Sequence, residues 1–288
     1  MSDARRAARA AFDARPTLEG AGVHLRRVFG FGLEREFDPF LMLDDFRSDD
    51  SSQFLAGFPW HPHRGIETIT YVLRGDIEHG DSLGNSGVIG TGDVQWMTAG
   101  SGIIHQEMPK GDEGHMWGFQ LWANLPASEK MCDPHYRGLT GADIPGLRTT
   151  TGATVRVIAG QVGGATGPVR GIAIHPQYLD VSVPAGAEFT HPVEPGHTCF
   201  AYAIAGEGEF ASGHRAGNRT VVLYGDGDHV RITAGEAGVR FLPVSGRPLD
   251  EPIAWRGPIV MNTEEELHFA FREYREGTFV KVGKVPGA

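Results

Sequence analysis

Two stretches of this 288-residue chain are near copies of two others. Gly65-IETITYVLR-Gly75 aligns with Gly196-HTCFAYAIA-Gly206 at an offset of 131, keeping both glycines, the central tyrosine and the apolar pattern between them. TGDVQWMTAG, residues 91–100, aligns with DGDHVRITAG, residues 226–235, at an offset of 135, with five of ten positions identical. Two matches in the same order and at nearly the same offset predict a duplicated domain. The length agrees, since typical domains run to about 150 residues.

The repeated unit reads as β. Short runs such as ETITYVL (67–73), DVQWM (93–97), TVRVI (154–158) and LDVSV (179–183) are broken by Gly, Pro, Asp and Asn, as in antiparallel sandwiches and barrels. The 41 glycines, about twice the usual share of ~7 per cent, supply the turns. Helical spacing occurs once, at Leu267, Ala270, Phe271 and Tyr274, after a capping box of Thr263 and Glu266. A helix over about 263–276, ending at Gly277, is expected.

The domain plan is therefore a loosely ordered N-terminal tail over 1–20, a first β domain over 21–140 and a second over 141–288 that ends in the helix. The turn-rich segment 134–152 shows no clean strand and reads as the linker.

Composition narrows the function. With 26 basic against 36 acidic residues the formal charge is −10, and no long basic run offsets it, so capture of a nucleic-acid backbone is disfavoured. Cys132 and Cys199 form neither a disulfide framework nor a thiolate metal site, which suits a reducing cytoplasm. No apolar stretch approaches the ~20 residues of a membrane span. No phosphate-binding glycine loop or nucleophile elbow follows a strand.

The chemistry-bearing residues lie in the first half. His61-Pro62-His63 places two imidazoles on one face of an extended strand, and His105-Gln106-Glu107 does the same for an imidazole and a carboxylate. If these strands face each other across a barrel, four ligands converge in a set that suits iron(II), manganese, nickel, copper or zinc. Glu67 shares strand parity with His61 and His63 and competes with Glu107 as the oxygen ligand. The matching positions of the second copy are Pro192, Glu194, Arg240 and Leu242. The repeat keeps its turn glycines and carries none of the four ligands, as expected where a site is grafted on a fold. His191, His197 and His115 read as rim or strand-edge residues, and Gln120 with Trp122 as candidates to line the metal cavity.

The blocks FDPFLMLDDF (37–46), HPHRGIETITYVLRG (61–75), MTAGSGIIHQE (97–107) and GPIVMNTEEEL (257–267) resemble the pirin family of the cupin superfamily, over about residues 22–280. The resemblance implies two tandem cupin domains, each a jelly-roll β-barrel. It also implies one metal, usually iron, held by His61, His63, His105 and Glu107 in the first cupin, and a metal-free second cupin. Glu67 is then an outer or structural carboxylate. Two activities follow from the resemblance. One is a quercetin 2,3-dioxygenase that uses dioxygen on flavonol-like substrates, with Glu107 accepting the substrate's hydroxyl proton. The other is a non-catalytic, iron-dependent redox regulator that binds transcription factors or metabolic enzymes.

Overall fold

The structure is a computed structural model that describes residues 4–110 and 113–284. It is all-β apart from one short 3-10 turn and the C-terminal helix. Two compact units emerge. One comprises Arg15–Glu34, Phe40–Gly141 and Leu249–Ala288, and the other comprises Met1–Ala14, Arg35–Pro39 and Ala142–Pro248. They are called the first and second unit below.

The first unit contains a seven-stranded antiparallel sheet in the spatial order 135–139, 94–98, 66–74, 117–124, 40–45, 23–29, 15–19. A four-stranded sheet runs 58–63, 103–109, 77–81, 86–89. The sheets do not close into a barrel; the architecture is an open jelly roll. The strand Ile66–Arg74 is buried on both faces over its first seven residues. Thr68 and Thr70 alternate there with Glu67, Ile69 and Tyr71, so the two threonines share one face and Glu67 lies on the other.

The chain passes from Phe58–His63 in one sheet to Ile66–Arg74 in the other at Gly65, whose φ is +76°. A Cβ there would sit 2.0 Å from the Val260 carbonyl oxygen, so the position is closed to any other residue. The Lys130 ammonium donates to the backbone carbonyls of Gly65 and Val260 at 2.9 and 3.1 Å and to the Asn124 side-chain oxygen at 2.6 Å, matching its three N–H groups to three acceptors.

The helix spans Glu264–Glu276 with the expected capping box and a left-handed Gly277. It buries Leu267 and Ala270 against Ala254, Ile259, Met261 and Phe279. Its Glu273 accepts a 2.7 Å bond from Arg64, the residue after His63, and the Phe279 carbonyl takes a second bond from Arg64 at 3.0 Å. The helix therefore belongs to the first unit, not to the second domain where its sequence position puts it.

The second unit is one nine-stranded sheet, continuous because Thr198–Ala211 and His229–Gly246 are long enough to serve several neighbours. Its main core cluster is aliphatic and aromatic, with Val157, Leu179, Phe189, Phe210 and Phe241 among the buried residues.

Two expectations need correction. The supposed tail is strand: Ala8–Asp13 pairs with Thr220–Tyr224, and Arg15–Glu19 pairs with Val23–Phe29. Residues 1–3 lie outside the described residues. Alanine and arginine have low strand propensity, but the partner strands supply the ladder. Phe12 packs edge-on against Phe37, and buried Arg6 donates to the carbonyls of Glu194, His197, Gly225 and Gly227. The supposed linker also holds strands, His135–Leu139 and Gly146–Arg148. Each lies at a sheet edge, where only one side must pair and turn-rich sequence is tolerated.

Candidate metal centre

His61 and His63 sit on Phe58–His63, and His105 and Glu107 on Ile103–Pro109. These strands do not face each other across a barrel. They are hydrogen-bonded neighbours, with His105 directly opposite His61. Cross-strand and i, i+2 neighbours share a face, so three imidazoles meet, with ring centroids 4.4 to 4.9 Å apart. One nitrogen from each ring lies within 4.8 Å of the other two.

The ring orientations select for a cation. His61 Nδ1 donates to the Pro59 carbonyl at 2.8 Å and His63 Nδ1 to the Pro258 carbonyl at 3.0 Å. Because a carbonyl only accepts, both protons sit on Nδ1. Burial pushes all three histidines below their usual range, His63 and His105 well below it, and for these two the neighbouring imidazoles push the same way. Neutral rings with protonated Nδ1 turn two Nε2 lone pairs toward each other, 3.0 Å apart. His105 is fully buried, and neither of its ring nitrogens has a hydrogen-bond partner. Facing lone pairs and an orphaned buried imidazole are costly alone and are relieved together by a divalent metal.

Glu107 lies outside this three-nitrogen group but lines the same cavity as His61 and His63. Its Oε1 accepts from the Thr70 hydroxyl at 2.7 Å. Glu67 is elsewhere. It is buried, its carboxylate accepts from Trp96 Nε1 at 2.6 Å and from the Thr98 hydroxyl at 3.1 Å, and burial raises its pKa against the pull of those bonds. Gly65 breaks the strand between His63 and Glu67, so parity counted from the histidines does not carry across. Thr70, three residues on along an unbroken strand, points to the opposite face.

Sequence reasoning missed His79. Its buried ring lies 5.6 Å from that of His105 and stacks on Tyr136 at 4.9 Å, and its Nε2 is 3.1 Å from Asp81 Oδ2. The available signal was His79-Gly80-Asp81, an alternation like that of His61 and His63. His115 pairs with Asp49 near the surface, and His191 bonds Gln177 in the second unit, so neither joins the cluster.

His61 and His63 open onto a cavity of about 860 Å³, within the range of small-molecule sites, walled by Met42, Phe46, Phe54, Phe58, Trp122 and Trp255. Gln120 and Trp122 line it, as their strand parity predicts.

The pirin family model matches residues 22–123, and the pirin C-terminal cupin domain matches residues 178–280. The chain belongs to the pirin family. Its two units are thus the tandem cupins of a pirin. A pirin-like protein of Caulobacter vibrioides is 46% identical over 266 residues, covering 92% of this chain and 95% of that one. A Pseudomonas aeruginosa protein with the provisional name quercetin 2,3-dioxygenase is 45% identical over 270 residues, covering 91% and 94%. Among solved pirin-like structures, a quercetin 2,3-dioxygenase from Acinetobacter baumannii aligns at a TM-score of 0.87 and 33% identity, over 96% of this chain and 99% of that one.

Proposed function

We propose that the protein is a metal-dependent dioxygenase of the quercetin 2,3-dioxygenase type, acting with dioxygen on flavonol-like substrates. The observation that carries this reading is the meeting of three neutral imidazoles at the wall of a large aromatic cavity. Relatives that cover more than nine-tenths of the chain and bear the quercetinase name support it.

His61, His63, His105 and Glu107 hold one divalent metal; iron(II) is the proposed ion, and the nitrogen-rich set also accepts manganese, nickel, copper or zinc. When bound, the metal supplies Lewis acidity and the redox chemistry that dioxygen requires. The chain does the rest. Phe46, Phe54 and Trp122 clasp a planar ring system and exclude water. The Glu107 carboxylate accepts the proton of the substrate's reacting hydroxyl, and the Thr70 hydroxyl holds that carboxylate in place.

The test is oxygen uptake by iron(II)-loaded protein given quercetin. Consumption with one metal per chain, lost in His61→Ala, is expected. Absence of turnover with all five metals would overturn the proposal.

A further inference from the structure

The cavity has a second polar feature, remote from the histidines. Asp44, 3% exposed, lines its wall together with Arg27 and Glu19. Arg27 Nε and Nη2 donate to the two Asp44 oxygens at 2.9 and 2.8 Å, and Arg27 Nη1 lies 2.9 Å from Glu19 Oε1. Two carboxylates thus share one guanidinium, and with Glu107 and Arg256 also in the lining the cavity keeps a net negative charge.

Strand register gives its distance from the chemistry. Arg27 pairs with Asp44, Asp44 with Gln120, and Gln120 with Thr70, so the four side chains form one row across the inner face of the sheet. Thr70 bonds Glu107 at one end of the row. At the ~4.8 Å spacing of neighbouring strands, Asp44 lies about 10 Å along that row.

A buried ion pair is a poor way to stabilise a sheet, since an apolar pair of the same shape does as well. Its position on a cavity wall is therefore informative. Burial also pushes the Asp44 carboxyl up to about 6, even against the guanidinium.

We infer that Asp44, oriented by Arg27, is a substrate-recognition residue that accepts hydrogen bonds from phenolic hydroxyls at the end of the substrate remote from the His61–His63–His105 cluster. The inference rests on the proposed function for the orientation of the substrate. It narrows the class to uncharged, multiply hydroxylated aromatics. Carboxylated, sulfated or phosphorylated rings are rejected by the unbalanced charge of Glu19 and Asp44. Ring systems whose remote hydroxyls are methylated lose that bond and press a methyl group against the buried carboxylate.

The test is direct binding to the metal-loaded protein by titration calorimetry, with two ligand series. One compares quercetin with 3-hydroxyflavone, which lacks the remote hydroxyls. The other compares 2,7-dihydroxynaphthalene with its dimethyl ether and with 2-naphthoate. Wild type should favour the hydroxylated member of each series by about tenfold. In Asp44→Leu the ratio should fall to near one. Arg27→Met/Asp44→Leu removes both partners together, keeps the fold if the single change does not, and should show the same collapse. An undiminished ratio in the folded variants, or a wild type that binds naphthoate as well as the diol, overturns the inference. An Asp44-dependent preference in the naphthalene series without flavonol binding overturns the flavonol reading and leaves the recognition residue standing.

Discussion

The two cupin units share turns and differ in what fills them. Gly65 and Gly196 both have φ of +76°, and Gly75 and Gly206 are both left-handed; Tyr71 and Tyr202 are both fully buried. In the first unit the space between the strands is hollow and polar, with His63, His105, Glu107 and Thr70 buried around a cavity. In the second unit the strand register puts residues 229–234 where the strand of His105 and Glu107 stands, because they pair with Glu188–Pro192 and with 208–209 as Ile103–Pro109 pairs with Phe58–His63 and Ile77–Asp81. Leu242 and Arg240, which the sequence repeat aligns with Glu107 and His105, lie further along, in the stretch that pairs with Thr198–Gly206: Leu242 is fully buried opposite Tyr202, as Phe119 is opposite Tyr71, and Arg240 reaches out to Asp180 with 2.6 and 2.9 Å bonds. Pro192 and Glu194, aligned with His61 and His63 by the repeat, are exposed. The lesson is one of energetics: a strand framework tolerates buried imidazoles only where something offsets their desolvation, and the second unit reverts to close-packed hydrocarbon.

The sharpest way to break this comparison is at the shared glycines. Gly65→Ala places a methyl group against the Val260 carbonyl and should cost about 4 kcal/mol or more, whereas Gly196→Ala meets open space and should cost only ~1 kcal/mol of backbone strain. Urea unfolding midpoints decide it, and equal losses would mean that the duplicated turns are equivalent after all.

Exchanging fillings comes next. Leu242→Glu leaves a carboxylate unpaired in the hydrocarbon core, a cost of about 4 kcal/mol, while Glu107→Leu in metal-free protein should change stability by no more than ~1 kcal/mol, the worth of the Thr70 bond. Comparable penalties for the two changes would remove the distinction between a hollow and a filled unit. At the metal centre, His105→Ala should weaken metal retention by more than ~100-fold, read by metal analysis after dialysis, and Arg240→Ala in the second unit should leave retention as in wild type.

The smallest effect concerns Asp44. Its carboxyl titrates at about 6 in the folded chain against an ordinary 3.8, so between pH 4 and 6 the native state holds a proton that the unfolded chain has released. Stability must therefore fall as pH rises through that window. Asp44→Asn removes this contribution, and the gap between variant and wild type should shift by roughly 2 kcal/mol in the variant's favour from pH 4 to pH 7. A gap independent of pH would show that Arg27 fully satisfies the carboxylate.

Much of this was legible in the sequence. Histidines two apart on a strand must share a face, and the capping box with Gly277 marks both ends of the helix. The rest depended on partners far along the chain. Nothing near Arg64 announces Glu273, and nothing near His63 announces the Pro258 carbonyl that fixes its tautomer. Parity misplaced Glu67 because it was counted through Gly65, where the strand is interrupted. The strand Ala8–Asp13 was hidden because its sequence is unremarkable and its pairing lies with residues 220–224.

The exchange of segments between the units has a consequence for synthesis. The segment Leu249–Ala288, made after the whole of the second unit, belongs to the unit that begins at Arg15 and includes the carbonyl on His63 and the carboxylate on Arg64. The first unit therefore cannot finish folding when its own half of the chain has emerged, although domains usually fold in order of appearance. The histidine cluster is completed only once the second unit has been made. A prematurely terminated chain keeps His61, His63, His105 and Glu107 but not the scaffold that aligns them.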